Sequence, residues 1–197
     1  MKFTRIPESA FKELVLNAGY LATTFDPTAG TAPEESALLG ATTGGINFSA
    51  VPSFADFGED IDNCPKNMKE LKQIESWDVK CSGTYVSASS ANVKSMLGAA
   101  EETTTSKVSK ITPRNDLKDS DFTDLWLLCD YSDKHGTTNG GFCAIHMLNT
   151  LSTGGFSLQT GDKAKGQMSF EYTAHYSITS QDTVPCEVYI KAGEDEA

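Results

Sequence analysis

Eleven consecutive residues, Gln167 to Ser177, alternate between apolar and polar side chains. Met168, Phe170, Tyr172, Ala174 and Tyr176 form one row, and Ser169, Glu171, Thr173 and His175 form the other. A period of two fits an extended strand, because successive side chains of extended backbone point to opposite faces. Such a strand buries its apolar row against a second layer and turns the other row to solvent or to a partner. Gln181–Thr183 then reads as a turn, and Cys186, Val188 and Ile190 alternate with Glu187, Tyr189 and Lys191 in a second strand. An antiparallel sandwich or barrel is the fold class that such segments build.

Further segments agree. In Trp77–Val86 the residues Trp77, Val79, Cys81 and Tyr85 share one face. Phe122–Tyr131 and Gly141–Leu148 are more uniformly apolar, as strands buried on both faces are. The tract Asp133–Gly140, which includes His135, joins these two as a hairpin loop. Lys107–Thr112 adds a strand before Pro113. One helix is predicted from Ser89 or Ser90 as N-cap, with Val93, Met96, Leu97 and Ala100 at helical spacing, lying across one face of the sheets.

The first third differs. A short helix is expected at Ser9–Leu16, followed by turn-rich sequence from Asp26 to Gly45. The tract Ile46–Pro65 carries Phe48, Phe54 and Phe57 among prolines and glycines, with Asp56, Glu59, Asp60 and Asp62. Aromatics without a clear period are hard to bury in a small sandwich, so this tract reads as a long loop that docks on another subunit.

Charge narrows the functional classes. The 197 residues hold 27 Asp and Glu against 16 Lys and Arg, a net charge of −11, which argues against a binder that neutralises phosphates through a basic face. Met1–Pro7 lacks the apolar run of a signal peptide, and no apolar stretch approaches the ~20 residues that span a bilayer. The expectation is a protein made and kept in the cytosol unless its assembly carries it out. Five cysteines at wide, irregular spacing, Cys64, Cys81, Cys129, Cys143 and Cys186, suit reduced, buried thiols better than disulfides or a zinc site.

Chemistry-bearing motifs are sparse. The acidic tracts Asp56–Asp62 and Asp116–Asp124 do not match a calcium loop and read as solvated, interfacial or turn-forming segments. His135, His146 and His175 sit in no metal or nucleophile motif. Gly40–Gly45 and Gly161–Gly166 lack the Lys-Ser/Thr of a phosphate loop. No enzyme activity, metal or cofactor is expected.

Several strings together carry a resemblance: Ala55–Asp62 (ADFGEDID), Lys69–Ile74 (KELKQI), Ile111–Phe122 (ITPRNDLKDSDF), Leu151–Phe156 (LSTGGF), Thr160–Gly166 (TGDKAKG) and Gln181–Gly193 (QDTVPCEVYIKAG). They span most of the chain, which resembles the major tail proteins, or tail-tube proteins, of long-tailed bacteriophages and prophages of Gram-positive hosts. The resemblance implies a single tail-tube domain over 1–197, a β-sandwich with one flanking helix. An N-terminal arm region would occupy 1–45 and an extended inter-ring loop 46–65. It implies a virion protein, assembled in the host cytoplasm, with six copies per ring and rings stacked into a hollow tube. A tape-measure protein would fill the lumen first, tail completion and distal tail proteins would close the ends, and DNA would pass through without specific binding. No membrane is involved, and the family has no catalytic residues to transfer. An acidic wall would repel DNA rather than trap it.

On this reading Phe48, Phe54 and Phe57, with Asp56, Glu59, Asp60 and Asp62, are candidate contacts between rings or subunits, and Glu171, Thr173 and His175 are candidates for the lumen or a subunit face. The alternatives are another virion or tail-fibre component, or a carbohydrate- or surface-binding sandwich. A carbohydrate site would need exposed aromatics, whereas Trp77 and Trp126 lie in apolar strands.

Overall fold

The computed structural model describes residues 5–7, 9–131 and 140–193. The predicted hairpin loop through His135 and the acidic tail 194–197 therefore lie outside the described residues, except for Gly140. Nine strands and one α-helix are described: β1 (Val15–Ala22), β2 (Thr42–Asp56), β3 (Lys72–Tyr85), α1 (Ser90–Leu97), β4 (Ala100–Thr105), β5 (Val108–Pro113), β6 (Thr123–Tyr131), β7 (Gly141–Ser152), β8 (Met168–Thr173) and β9 (Cys186–Lys191).

All pairings are antiparallel. One half of the main sheet runs β1-β6-β7-β9, and the other runs β8-β3-β2. The halves meet where the last residues of β7, Leu151 and Ser152, pair with Thr173 and Tyr172 of β8. Leu21, Leu125, Leu127 and Met147 from the first half share one core with Val79, Cys81, Tyr85, Met168, Phe170 and Tyr172 from the second. This is the expected mostly β, sandwich-like architecture. A smaller cluster of Ala22, Trp126, Leu128 and Ala144 lies beneath Phe25, so β6 is buried on both faces, as its apolar run requires.

The alternation that predicts β8 is reflected in burial: Met168, Phe170 and Tyr172 are buried, while Glu171 and Thr173 are half-buried on the other face. The strand is shorter than its sequence pattern. It ends at Thr173, and Tyr176 serves a different purpose, described below.

The helix starts as predicted. Ser89 caps it by accepting the Asn92 amide at 3.1 Å, and Met96 points into the core. Gly98, at φ 68°, ends it, so Ala100, expected on the helix's apolar face, begins β4 instead. Hydrogen bonds hold α1 across the sandwich: Ser95 and Tyr172 hydroxyls lie 2.9 Å apart, and Ser152 Oγ donates to the Met96 carbonyl at 2.7 Å.

The first third departs from expectation twice. Ser9–Leu16 is not an α-helix. A 3-10 turn covers Ala10–Lys12 and the chain enters β1 at Val15. A register shift between Leu16 and Tyr20, with Asn17 at φ 64°, hides the strand's period. Gly19 sits in this shift, where a Cβ would lie 2.5 Å from Cys129 Sγ.

The tract Ile46–Pro65 is likewise not an irregular loop: as far as Asp56 it is the C-terminal part of β2, fully paired with β3. Two register shifts interrupt the ladder: between Thr43 and Ile46, β2 carries the extra residues Gly44 and Gly45 at φ 76° and 82°, and between Ser53 and Phe54 the extra residue is Glu75 on β3. Each bulge bends and twists the ribbon locally, so no single period of burial runs through the sequence.

Candidate functional site

β8 covers β3 only from Tyr85 back to Lys80. The rest of β3 and the matching part of β2 continue past the sandwich as a two-stranded arm, closed at its tip by residues 57–71. Asp56 staples the tip: its carboxylate accepts the Gly58 and Asn67 amides, each at 3.0 Å, and these amides, Gly58 first, hold its pKa below the usual range. Phe57 returns its amide to the Leu71 carbonyl at 3.0 Å.

The arm is apolar on its surface. Phe54 and Ile74 face each other across the ladder, and with Phe57 and Ile61 each is half exposed or more. The Lys72 ammonium lies 4.9 Å over the Phe54 ring. Of the three phenylalanines expected to act as anchors, Phe54 and Phe57 are exposed. Phe48 is not, because it packs against the main core from the part of β2 opposite the β8-covered stretch of β3. Glu59, Asp60 and Asp62 are exposed along the tip turn.

β2 is also an edge. No described strand pairs with its outer side. From Thr42 to Ala55 this edge carries no charged residue, and Pro52 is its one proline. Natural edge strands are normally protected by charges, prolines or a covering element, since a bare row of N–H and C=O groups templates another strand.

The outward face of the β8-β3-β2 half is polar. Ser49, Lys80 and Thr173 lie in one row, and Asn47, Ser82 and Glu171 lie in the next. Thr153 Oγ1 bridges two of the predicted face residues, 3.1 Å from Glu171 Oε1 and 2.9 Å from Thr173 Oγ1. His175 does not join them. Its Nδ1 donates to the Asn149 carbonyl at 3.1 Å, and its ring packs edge-on against Phe122.

The remaining polar clusters among the described residues are bonded largely to one another. His146 stacks on Trp126 at 4.0 Å between centroids, with Nε2 3.1 Å from Asp124 and Nδ1 3.6 Å from Glu187. Both ring nitrogens face carboxylates, which leaves none to activate a nucleophile. A cavity of about 420 Å³ beside α1 is lined by Lys94, Ser95, Glu102, Asp121 and Tyr172 among others, but Asp121 is already paired with Arg114. Burial pushes the Cys81 thiol up to about 12 and Cys129 up to about 11, far from thiolate chemistry at neutral pH. Cys64 sits at the arm tip, half-buried.

Arg114, its side chain 13% exposed, ties the end of β5 to Asp121 and faces Glu101 and Asp116. Asp121 is held below its usual range by the Lys118 amide and then by Arg114, and Glu101 is lowered chiefly by Lys118. With folded-state values below the unfolded ones, these carboxylates stabilise fully above the ordinary carboxylate range, and that contribution disappears as pH falls through the folded values. The urea midpoint is therefore expected to be level down to about pH 5 and to fall below about pH 4. The fall should be shallower in Asp121→Asn. An equal midpoint at about pH 6 and about pH 3 contradicts this.

Compared with known proteins, the chain matches no protein-family model and no curated sequence.

Proposed function

We propose that this chain is the structural subunit of a phage-type tail tube, assembling with copies of itself into six-membered rings that stack into a conduit for DNA. The observation that carries the reading is the bare, uncharged outer edge of β2, which continues directly into an arm with exposed Phe54, Phe57, Ile61 and Ile74. One element thereby offers two contacts. Its edge extends a sheet sideways into the next copy of a ring, and its arm reaches along the tube to the next ring. Strand addition uses main-chain bonds for affinity, and apolar anchors at desolvated positions supply most interface energy.

The polar face bearing Asn47, Ser49, Lys80, Ser82, Glu171 and Thr173 then lines the bore. Its hydroxyls and amide carry no cluster of cations, and the net charge of −11 per copy disfavours adhesion of the DNA backbone. A tape-measure protein would occupy this bore before DNA, and tail completion and distal tail proteins would cap the ends. The residues would act by shape and charge, without catalysis or a cofactor.

Electron microscopy of the purified full chain tests the reading. Hollow tubes or six-fold rings are expected. Particles that remain monomeric as concentration and ionic strength are raised would exclude it.

A further inference from the structure

Where the arm leaves the sandwich, β3 has lost β8 as a neighbour, and two hydrogen bonds stand in for it. The Ala174 amide donates to the Val79 carbonyl at 3.0 Å, and the Trp77 amide donates to the Tyr176 hydroxyl at 2.9 Å. Pro52 lies opposite Trp77 and has no N–H, so this pair cannot exchange the two bonds of a closed ladder position. The Trp77 amide therefore points away from β2, towards the side that β8 has vacated. The Tyr176 phenol takes the place of the missing strand's carbonyl.

We propose that Tyr176 is a latch that sets the direction of the β2-β3 arm on the sandwich. The proposal rests on the tube reading for its consequence, since the arm's partner is a second copy of this chain, but not for its geometry. The latch is mounted on a turn that holds itself together. Ser180 returns its amide to the Ser177 carbonyl at 3.0 Å, the Ser177 and Thr179 hydroxyls lie 2.8 Å apart, and Gln181 Nε2 donates to the Ile178 carbonyl at 3.2 Å. A two-stranded ribbon fixed only at its root is marginally ordered in water. Holding it in one direction before docking lowers the ordering cost of association. In a finished tube neighbouring copies hold the arm, so the latch acts on the rate of assembly more than on its end point.

Amide exchange measured by NMR on the unassembled full chain tests the latch directly. Tyr176→Phe keeps the ring and removes the acceptor. Trp77 exchange is expected to rise about five-fold, the effect of one modest hydrogen bond, with β6 and β7 amides unchanged. Ile178→Ala, in the same turn at an 86% exposed position, should leave Trp77 exchange at the wild-type value. Equal Trp77 exchange in wild type and Tyr176→Phe overturns the proposal, as does an equal rise in Ile178→Ala. In assembly, Tyr176→Phe should lengthen the lag before tubes appear while leaving finished tubes alike. If the wild type forms no tubes, the functional reading falls, and the exchange comparison still decides the latch.

Discussion

Tyr172→Pro is expected to leave no folded protein. Tyr172 is an internal position of β8, opposite Cys81 on β3 and Ser152 on β7, and only 3% of its surface is exposed. Proline removes a ladder donor from a strand bonded on both sides. The ring it replaces packs against Phe170, and its hydroxyl holds α1 through Ser95. Losing a buried aromatic costs about 3–5 kcal/mol and each orphaned bond about 1 kcal/mol more, against a total stability of about 5–15 kcal/mol for an ordinary domain. Tyr172→Phe is the control: it gives up the hydroxyl alone and should cost about 1 kcal/mol. Near-ultraviolet circular dichroism and thermal melting separate the two. A cooperative, wild-type-like melt from Tyr172→Pro would mean that β8 is not an internal strand.

The second large effect falls on assembly rather than folding. Val51 and Asp78 lie directly opposite each other, so replacing Pro52–Trp77 with Asn-Gly closes the hairpin by a two-residue turn and removes the arm. Phe48, Val79 and Cys81, which reach the core, remain, while Trp77, which packs against the same core, is lost with the arm at some cost in stability. A folded monomer with a cooperative melt is expected, with tube formation abolished. A gentler variant, Phe54→Asp with Ile74→Asp, places two like charges across one ladder position and should also prevent stacking while the sandwich stands. Tubes of normal length and abundance from either variant would refute the role given to the arm.

The parts of this fold that are legible in the sequence are those where one period runs unbroken. Cys186–Lys191 is found with its predicted boundaries but not its predicted facing, since Val188 and Ile190 are exposed and Tyr189 from the other row packs on the smaller cluster; the helix is found at its predicted Ser89 cap. Trp77–Val86 is recognisable because Val79, Cys81 and Tyr85 face the core at strict alternation, and it is longer than predicted because residues 72–76 are exposed on the arm and carry no burial signal. β2 is hidden for the opposite reason. It is the longest strand described, but two register shifts, a Gly-Gly pair and Pro52 each break the pattern, and half of it has no core to face. Its aromatics stand out in the sequence, and Phe54 and Phe57 are exposed, while the regular ladder beneath them is invisible. β4 is similarly silent: Glu101–Thr105 are exposed, so their alternation serves no core.

The candidate site divides along the same line. Glu171 and Thr173 share a face because β8 keeps its period that far, and His175 leaves it because the strand ends at Thr173. Tyr176 continues the apolar row in the sequence, and there it reads as one more core residue. Its hydroxyl bond to Trp77, 99 positions away, arises only from the way β8 stops short of β3.

Phe48 and Ala50 occupy the same ladder parity as Pro52, so their amides point to the open edge of β2. Comparing their hydrogen exchange in the dispersed chain and in its assemblies tests edge pairing most directly. The account predicts rapid exchange in the dispersed chain and strong protection once assembled. Exchange that stays as fast in the assembled material as in the dispersed chain would contradict it.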